Sequence, residues 1–196
     1  MNILTDGLPD FLLIEGKKYK IRTDFRVWIK FGEIMSENIK GTDKLVKTII
    51  LCFEHGHGTA LPSNPAVILD ALINFYGGGD FQNKNAVNKG SDICAEKVLS
   101  FEKDWGYIYA AFLSEYRIDL LTQNLHWLQF LALFSALSEN SRIMKIISYR
   151  AADVEKLNDG PQKKFLRRMK RLYAFPDNRT EKEKETDFAD KLSQLF

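Results

Sequence analysis

The sequence is short of the features that announce chemistry. Its two cysteines, Cys52 and Cys94, stand far apart, with no Cys-x-x-Cys and no His/Cys spacing around them. That excludes a disulfide scaffold and an ordinary zinc site, and it fits reduced thiols in a cytosolic protein. An excess of charge is missing too: the formal net charge is +2. Such a balance argues against a dedicated nucleic-acid binder, while leaving room for a local basic patch. The opening MNILTDGLPD puts an acid at Asp6 and holds no apolar core of signal-peptide length, so secretion is not expected. What is present in ordinary amount is apolar residues, 45% of 196. That excludes wholesale disorder and lets one domain bury a sizeable core without metals or disulfides.

A membrane span is also lacking. LLTQNLHWLQFLALFSALS, Leu120 to Ser138, carries no Lys, Arg, Asp or Glu. A spanning helix needs roughly 20 predominantly apolar residues, and here Thr122, Gln123, Asn124, Ser135 and Ser138 dilute the run. Its solidly apolar part, Leu125 to Leu137, is too short and is interrupted by His126 and Gln129. The segment is therefore expected to be a helix from about Asn124 to Leu137. Trp127, Phe130, Leu131, Phe134 and Leu137 form its strong face, which Leu128 and Leu133 extend most of the way round. A helix apolar on nearly all sides is normally the central one of a bundle. The alternative is that one flank stays exposed and self-associates or binds an apolar partner.

The remaining chain reads as helices after a hairpin. FLLIEGKKYKIR, about 11–22, gives two short strands around Glu15-Gly16-Lys17-Lys18, with Gly16 supplying the positive φ of a tight turn. TDFRVWIKFGEIM switches to helical spacing, with Thr23 or Asp24 as N-cap and Phe25, Trp28, Ile29 and Met35 recurring on one face. DKLVKTIILCF follows, with Leu45, Ile49, Cys52 and Phe53 on one side. PAVILDALINFY is a third helix, with Pro65 in its first turn and Asn64 as cap. The Gly/Asn-rich 77–92 is an exposed loop, expected to be mobile. The longest helical pattern then shows a stripe of Phe101, Trp105, Ile108, Tyr109, Phe112 and Tyr116, an amphipathic helix packed on a core. RIMKIISYR is a short helix capped at Ser138 or at Asn140-Ser141. A further helix begins at Pro161 and stops near Phe175-Pro176. Its apolar stripe is Phe165, Leu166, Met169, Leu172 and Tyr173, and the rest is Lys163, Lys164, Arg167, Arg168, Lys170 and Arg171, with no acid among them. The last segment pairs Thr180 with Glu183 in a capping-box pattern and offers only Phe188, Leu192 and Leu195 for packing. The expected fold is thus mainly α: a compact helical bundle over 1–176 with a short N-terminal β-hairpin, and a charged, mobile helical tail over 177–196.

None of the candidate chemistry survives weighing. His55 and His57, one residue apart in a Gly-rich loop, lack further ligands. His126 has no Ser, Cys or carboxylate partner at a telling spacing, so a satisfied, buried histidine is the better reading than a general base. Gly77-Gly78-Gly79 lacks the Lys-Ser/Thr of a phosphate loop and the spacing of a dinucleotide fingerprint. No enzyme, metal or cofactor is expected. The basic helix is the better candidate surface, able to meet phosphates, anionic lipid or an acidic protein. The acid-rich segment from Glu181 could equally fold back on it.

Taken in order, YIYAAFLSEYRIDL, LHWLQFLALFSALSENSRIMKIISYR and QKKFLRRMKRLYAFP resemble the bacteriophage gene-product-fifteen family of tailed phages and prophages. MNILTDGLPDFLLIEGKKYKIRTDFRVWIKF is similar to that family's opening, a hairpin followed by a T-D-F-R-x-W helix. The resemblance covers nearly all of the chain to Phe175. It departs where Arg117 replaces a glycine before Ile118-Asp119-Leu120, and where His126-Trp127-Leu128-Gln129-Phe130 replaces His-Trp-Trp-Lys-Phe. The resemblance implies a gene between those of the major tail protein and the tape-measure protein, a place typical of tail assembly chaperones. It therefore implies a non-enzymatic protein in the cytoplasm of the bacterial host, with the tape-measure protein, and the tail tube protein beside it, as partners. The candidate contact residues are Trp127, Phe130, Leu131 and Phe134 on the apolar helix and Lys163, Lys164, Arg167, Arg168 and Arg171 on the basic one. Two other readings stay open at this point: a structural component retained in the tail or virion, and a nucleic-acid-associated phage regulator. Homo-oligomerisation through an exposed apolar flank also stays open.

Overall fold

A computed structural model describes residues 3–54, 61–62, 64–79 and 98–176. The fold is mainly α. A helical turn, α1 (Ile3–Asp6), leads to the hairpin β1 (Phe11–Ile14) and β2 (Lys17–Lys20). Helices α2 (Phe25–Ser36), α3 (Gly41–Cys52), α4 (Pro65–Tyr76), α5 (Phe101–Tyr116), α6 (Trp127–Ser135), α7 (Arg142–Ala151) and α8 (Pro161–Tyr173) follow. The chain divides within α7 into two compact units, Met1–Lys145 and Ile146–Phe196, whereas the sequence puts the break at 176/177. The loop at 77–92 is described only as far as Gly79, and the segment 177–196, His55, His57 and Cys94 lie outside the described residues.

In the first unit the hairpin is tighter than expected. The register pairs Leu12 with Tyr19 and Ile14 with Lys17, so Lys17 and Lys18 belong to the strand and only Glu15-Gly16 turns. Both turn residues have positive φ, 50° and 77°, the mirror-image turn whose twist suits an antiparallel pair. Alternation then buries Leu12 and Ile14 and leaves Leu13 in water. The Arg22 N–H donates to the Cys52 carbonyl at 2.8 Å and the Glu54 N–H to the Lys20 carbonyl at 3.2 Å. The Arg22 guanidinium also donates to the carbonyls of Ile50 and Leu51. The three bonds from Arg22 satisfy carbonyls in the last turn of α3, which would otherwise be bare acceptors.

Helix starts follow the residues that cap them. The Asp24 carboxylate accepts the Arg26 N–H at the start of α2, and the Asn64 side chain accepts the Ala66 N–H before Pro65 at the start of α4. At α5 the device is reciprocal: the Ser100 hydroxyl accepts from the Lys103 N–H, and the Asp104 carboxylate accepts from the Ser100 N–H. Two orphan donors are satisfied at once, which is why an aspartate can be buried there.

The core of this unit is aromatic. Phe130 is fully buried, stacked on one side by Phe25 at 4.9 Å and on the other by Phe112 at 5.1 Å. Trp127 stacks on Tyr76 at 5.3 Å, and its indole N–H donates to the Tyr76 carbonyl at 2.9 Å. Trp28 packs on Phe75 at 4.5 Å and donates to the Arg22 carbonyl at 2.8 Å. Large rings whose polar handles are all satisfied give dense packing without a desolvation cost.

The second unit is built from the end of α7 and α8. Tyr149 stacks on Tyr173 and meets the edge of Phe165. The buried Arg150 donates from Nε to the Tyr173 carbonyl at 2.7 Å and lies over the Phe175 ring at 3.8 Å.

Candidate functional site

The charge-free helix turns out to be core. Trp127 and Phe130 are 1% and 0% exposed, so neither side chain is available to a partner, and both are corrected as contact residues. The physical reason is that α6 is enclosed by aromatic neighbours from α2, α4 and α5. Leu131 and Phe134 are half-buried, with Phe134 against Phe101 and Phe130. The helix is also shorter than the expected 124–137: it starts at Trp127 behind a His126 cap and ends at Ser135.

His126 is held on both ring nitrogens. Nδ1 accepts the Leu128 N–H at 3.1 Å, and Nε2 lies 3.0 Å from the Pro9 carbonyl. An N–H only donates and a carbonyl only accepts, so the ring is neutral with its proton on Nε2. Burial pushes its pKa below the ordinary histidine value, with Pro9 and Asp10 opposing. The ring is thus a fastener between Pro9 and α6. Cys52 is equally withdrawn: burial pushes its thiol up to about 12, so it stays protonated and unreactive. Among the described residues no group of three His, Cys, Asp or Glu side chains is placed to hold a metal.

A surface feature does emerge where α2, α5 and the 117–126 segment meet. It is an apolar groove of about 180 Å³, walled by Phe25, Ile29, Phe101, Ile108, Tyr109, Leu120 and Phe130. Trp105 and Leu121 stand at its rim, 62% and 69% exposed. The stripe read from sequence counted Trp105 as core. In α5 the buried line instead runs through Asp104, Ile108, Ala111 and Phe112, because the cap draws Asp104 inward and rotates Trp105 to the flank. The groove's size decides its use: it is below the roughly 300–1,000 Å³ of small-molecule pockets, and it suits one large side chain of a partner.

Arg26 builds the groove's outer wall. Its guanidinium donates to the Leu120 carbonyl at 2.7 Å, the Gln123 carbonyl at 3.0 Å and the Asn124 side chain at 3.2 Å, and it pairs with Asp24 at 2.9 Å. It also lies over the Phe25 ring at 4.6 Å. The planar fork suits several acceptors at once in a way that lysine does not. The segment is further fixed by Phe25 N–H to Leu125 carbonyl and Trp127 N–H to Thr23 carbonyl bonds at 3.0 and 2.7 Å. Thr23, Asp24, Phe25 and Arg26 thereby hold α2 to the α5–α6 connection, while Trp28 packs on Phe75 and bonds the Arg22 carbonyl.

That run is the same T-D-F-R-x-W motif noted in the sequence, and comparison with known families bears on it directly. Residues 4–175 match the family model described as Bacteriophage Gp15 protein. The chain belongs to this Gp15 protein family. As a Gp15 protein it is a phage protein, and the matched span takes in the hairpin, the groove and α8. No curated protein and no solved structure matches the chain. No helix among the described residues of this Gp15 protein is long and apolar enough to cross a membrane.

The basic helix of the second unit divides its cations unequally. Lys163 pairs with Asp159 at 3.2 Å and Glu155 at 3.8 Å, and Arg167 with Glu155 at 3.1 Å. Lys170 donates to the Ala152 carbonyl. Lys164, Arg168 and Arg171 are exposed and have no ion-pair partner among the described residues. Of the apolar stripe, Leu166, Met169 and Tyr173 are half-buried, whereas Phe165 and Leu172 are 50% and 64% exposed. Groove and basic helix were both overlooked or undivided in the sequence, since Arg26 is separated from its carbonyl partners by more than 90 positions.

Proposed function

We propose that this chain is a non-enzymatic tail morphogenesis protein, a tail assembly chaperone that binds the tape-measure protein in the host cytoplasm before the tube polymerises. The observation that carries the reading is the apolar groove rimmed by exposed Trp105 and Leu121. Helix-in-groove capture needs a preformed apolar slot for an anchor side chain and a large aromatic beside it. A tape-measure protein, long and helical, offers such anchors repeatedly. Client release needs no nucleotide; it comes by competition from tube subunits. The basic helix from Lys163 to Arg171 adds steering of acidic client stretches. Retention of the chain as a structural part of the tail is the second reading.

Affinity purification of the tagged protein from cells assembling the phage, with mass spectrometry of purified virions, separates the two. Recovery of tape-measure protein from lysate with this chain absent from virions is the expected result. Presence in virions at fixed stoichiometry would transfer the protein to the tail structure. Affinity for duplex DNA falling steeply with salt would instead favour the regulator.

A further inference from the structure

Lys164, Arg168 and Arg171 follow one another at i, i+4 and i+7 along α8, and so share one exposed face two turns long. Phe165 and Leu172 repeat the same two-turn step one residue further on, which lays an exposed apolar edge beside the cations. The cations on the other flank, Lys163 and Arg167, are already matched by Asp159 and Glu155. We infer that the Lys164–Arg168–Arg171 face, with Phe165 and Leu172, docks an acidic amphipathic helix of a partner protein. Such a helix would carry carboxylates at i, i+4 and i+7 and apolar side chains beside them. The site is formed by residues of the second unit alone and stands whichever client the groove holds.

Charge complementarity selects the partner's sign, and the neighbouring groups select its class. A nucleic-acid backbone would leave the exposed Phe165 and Leu172 facing phosphates, with no apolar group to cover them. A membrane surface calls for a whole apolar helix face to be inserted, yet Leu166, Met169 and Tyr173 are already half-buried in this unit. A helix answers both features at once, since its own spacing reproduces the two-turn step of cations and apolar groups.

The test uses the full-length protein and fluorescence anisotropy. The probe is a labelled synthetic helical peptide with Glu at i, i+4 and i+7 and Leu at i+1 and i+8, compared with its Gln-for-Glu counterpart. Duplex DNA and phosphatidylglycerol vesicles are the competing probes. The Glu peptide should bind at least about tenfold more tightly than the Gln peptide, with the advantage shrinking at high salt. Lys164→Glu, Arg168→Glu and Arg171→Glu together should abolish that advantage, and Phe165→Ser with Leu172→Ser should weaken binding about tenfold. All five positions are exposed, and unchanged helicity by circular dichroism checks the variants. Equal binding by the charge-reversed protein would overturn the proposal, as would tighter binding of DNA or vesicles than of the peptide. A large gain in peptide affinity on Glu181→Gln, Glu183→Gln and Glu185→Gln would also overturn it, because the chain's own C-terminal segment would then be the occupant.

Discussion

Arg26→Ala tests the architecture of the groove at one position. The substitution removes donors to the Leu120 and Gln123 carbonyls, to the Asn124 side chain and to Asp24. A hydrogen bond from a charged donor contributes about 1.5–3 kcal/mol. The Arg26 side chain is 38% exposed, so water replaces part of what is lost, and the Asp24 pair adds at most about 1 kcal/mol. The net cost should be about 2 kcal/mol, which lowers Tm by about 4–8 °C for a chain of this size. Arg26→Lys keeps the charge but not the fork and should lose about half as much. Calorimetry or thermal circular dichroism gives the stability, and client binding gives the function. Both should fall together, because the loosened segment carries Leu120 and Leu121. An Arg26→Ala protein within 1–2 °C of wild type in Tm, about the scatter of a neutral surface change, would refute the reasoning.

Other substitutions probe the same structure. Trp127→Ala removes a fully buried ring and should cost about 3–5 kcal/mol, with about 1–3 more from the orphaned Tyr76 carbonyl; denaturant titration should find little folded protein. Trp105→Ala, by contrast, changes a mostly exposed residue and should shift stability by less than about 1 kcal/mol while client binding falls. Arg117 ends α5 in the left-handed region at φ 58°, which costs a non-glycine residue about 1–2 kcal/mol. Arg117→Gly should therefore raise stability by up to about 1 kcal/mol after glycine's greater chain entropy is counted, and a lower Tm would dispute that cap. Burial holds the folded His126 pKa below its ordinary value of 6.5, so the unfolded chain binds the extra proton first. Stability should be level above that pH and fall as the pH drops through the folded pKa; His126→Gln should flatten the slope in urea midpoints measured across that range.

The elements were legible because their signals are local. Thr23-Asp24, Asn64-Pro65 and Gly16 mark caps and a turn within a few residues of themselves, and the structure uses Asn64, Gly16 and, of the first pair, Asp24. The near-complete apolar circumference of α6 marked it as the central helix, which is how Trp127 and Phe130 lie. The site was not legible for the opposite reason. Trp105 shares the helical spacing of its buried neighbours, and only the Ser100–Asp104 cap fixes which side of α5 faces inward. Arg26 looks like any cation beside Asp24 until the Leu120 and Gln123 carbonyls are brought to it. On α8 the six cations read as equivalent; the turn before Pro161 is what brings Glu155 and Asp159 to two of them. The glycine missing at position 117 points the same way, since a left-handed cap is visible in sequence only when glycine fills it.

The most direct test of the groove is site-specific photocrosslinking. A photoreactive phenylalanine at position 105, in cells assembling the phage, should crosslink to the tape-measure protein. The same residue at Glu139, an exposed position that is not among the groove's lining residues, should not. Crosslinks at both positions, at neither, or only to a second copy of this chain would contradict the groove as the client's seat.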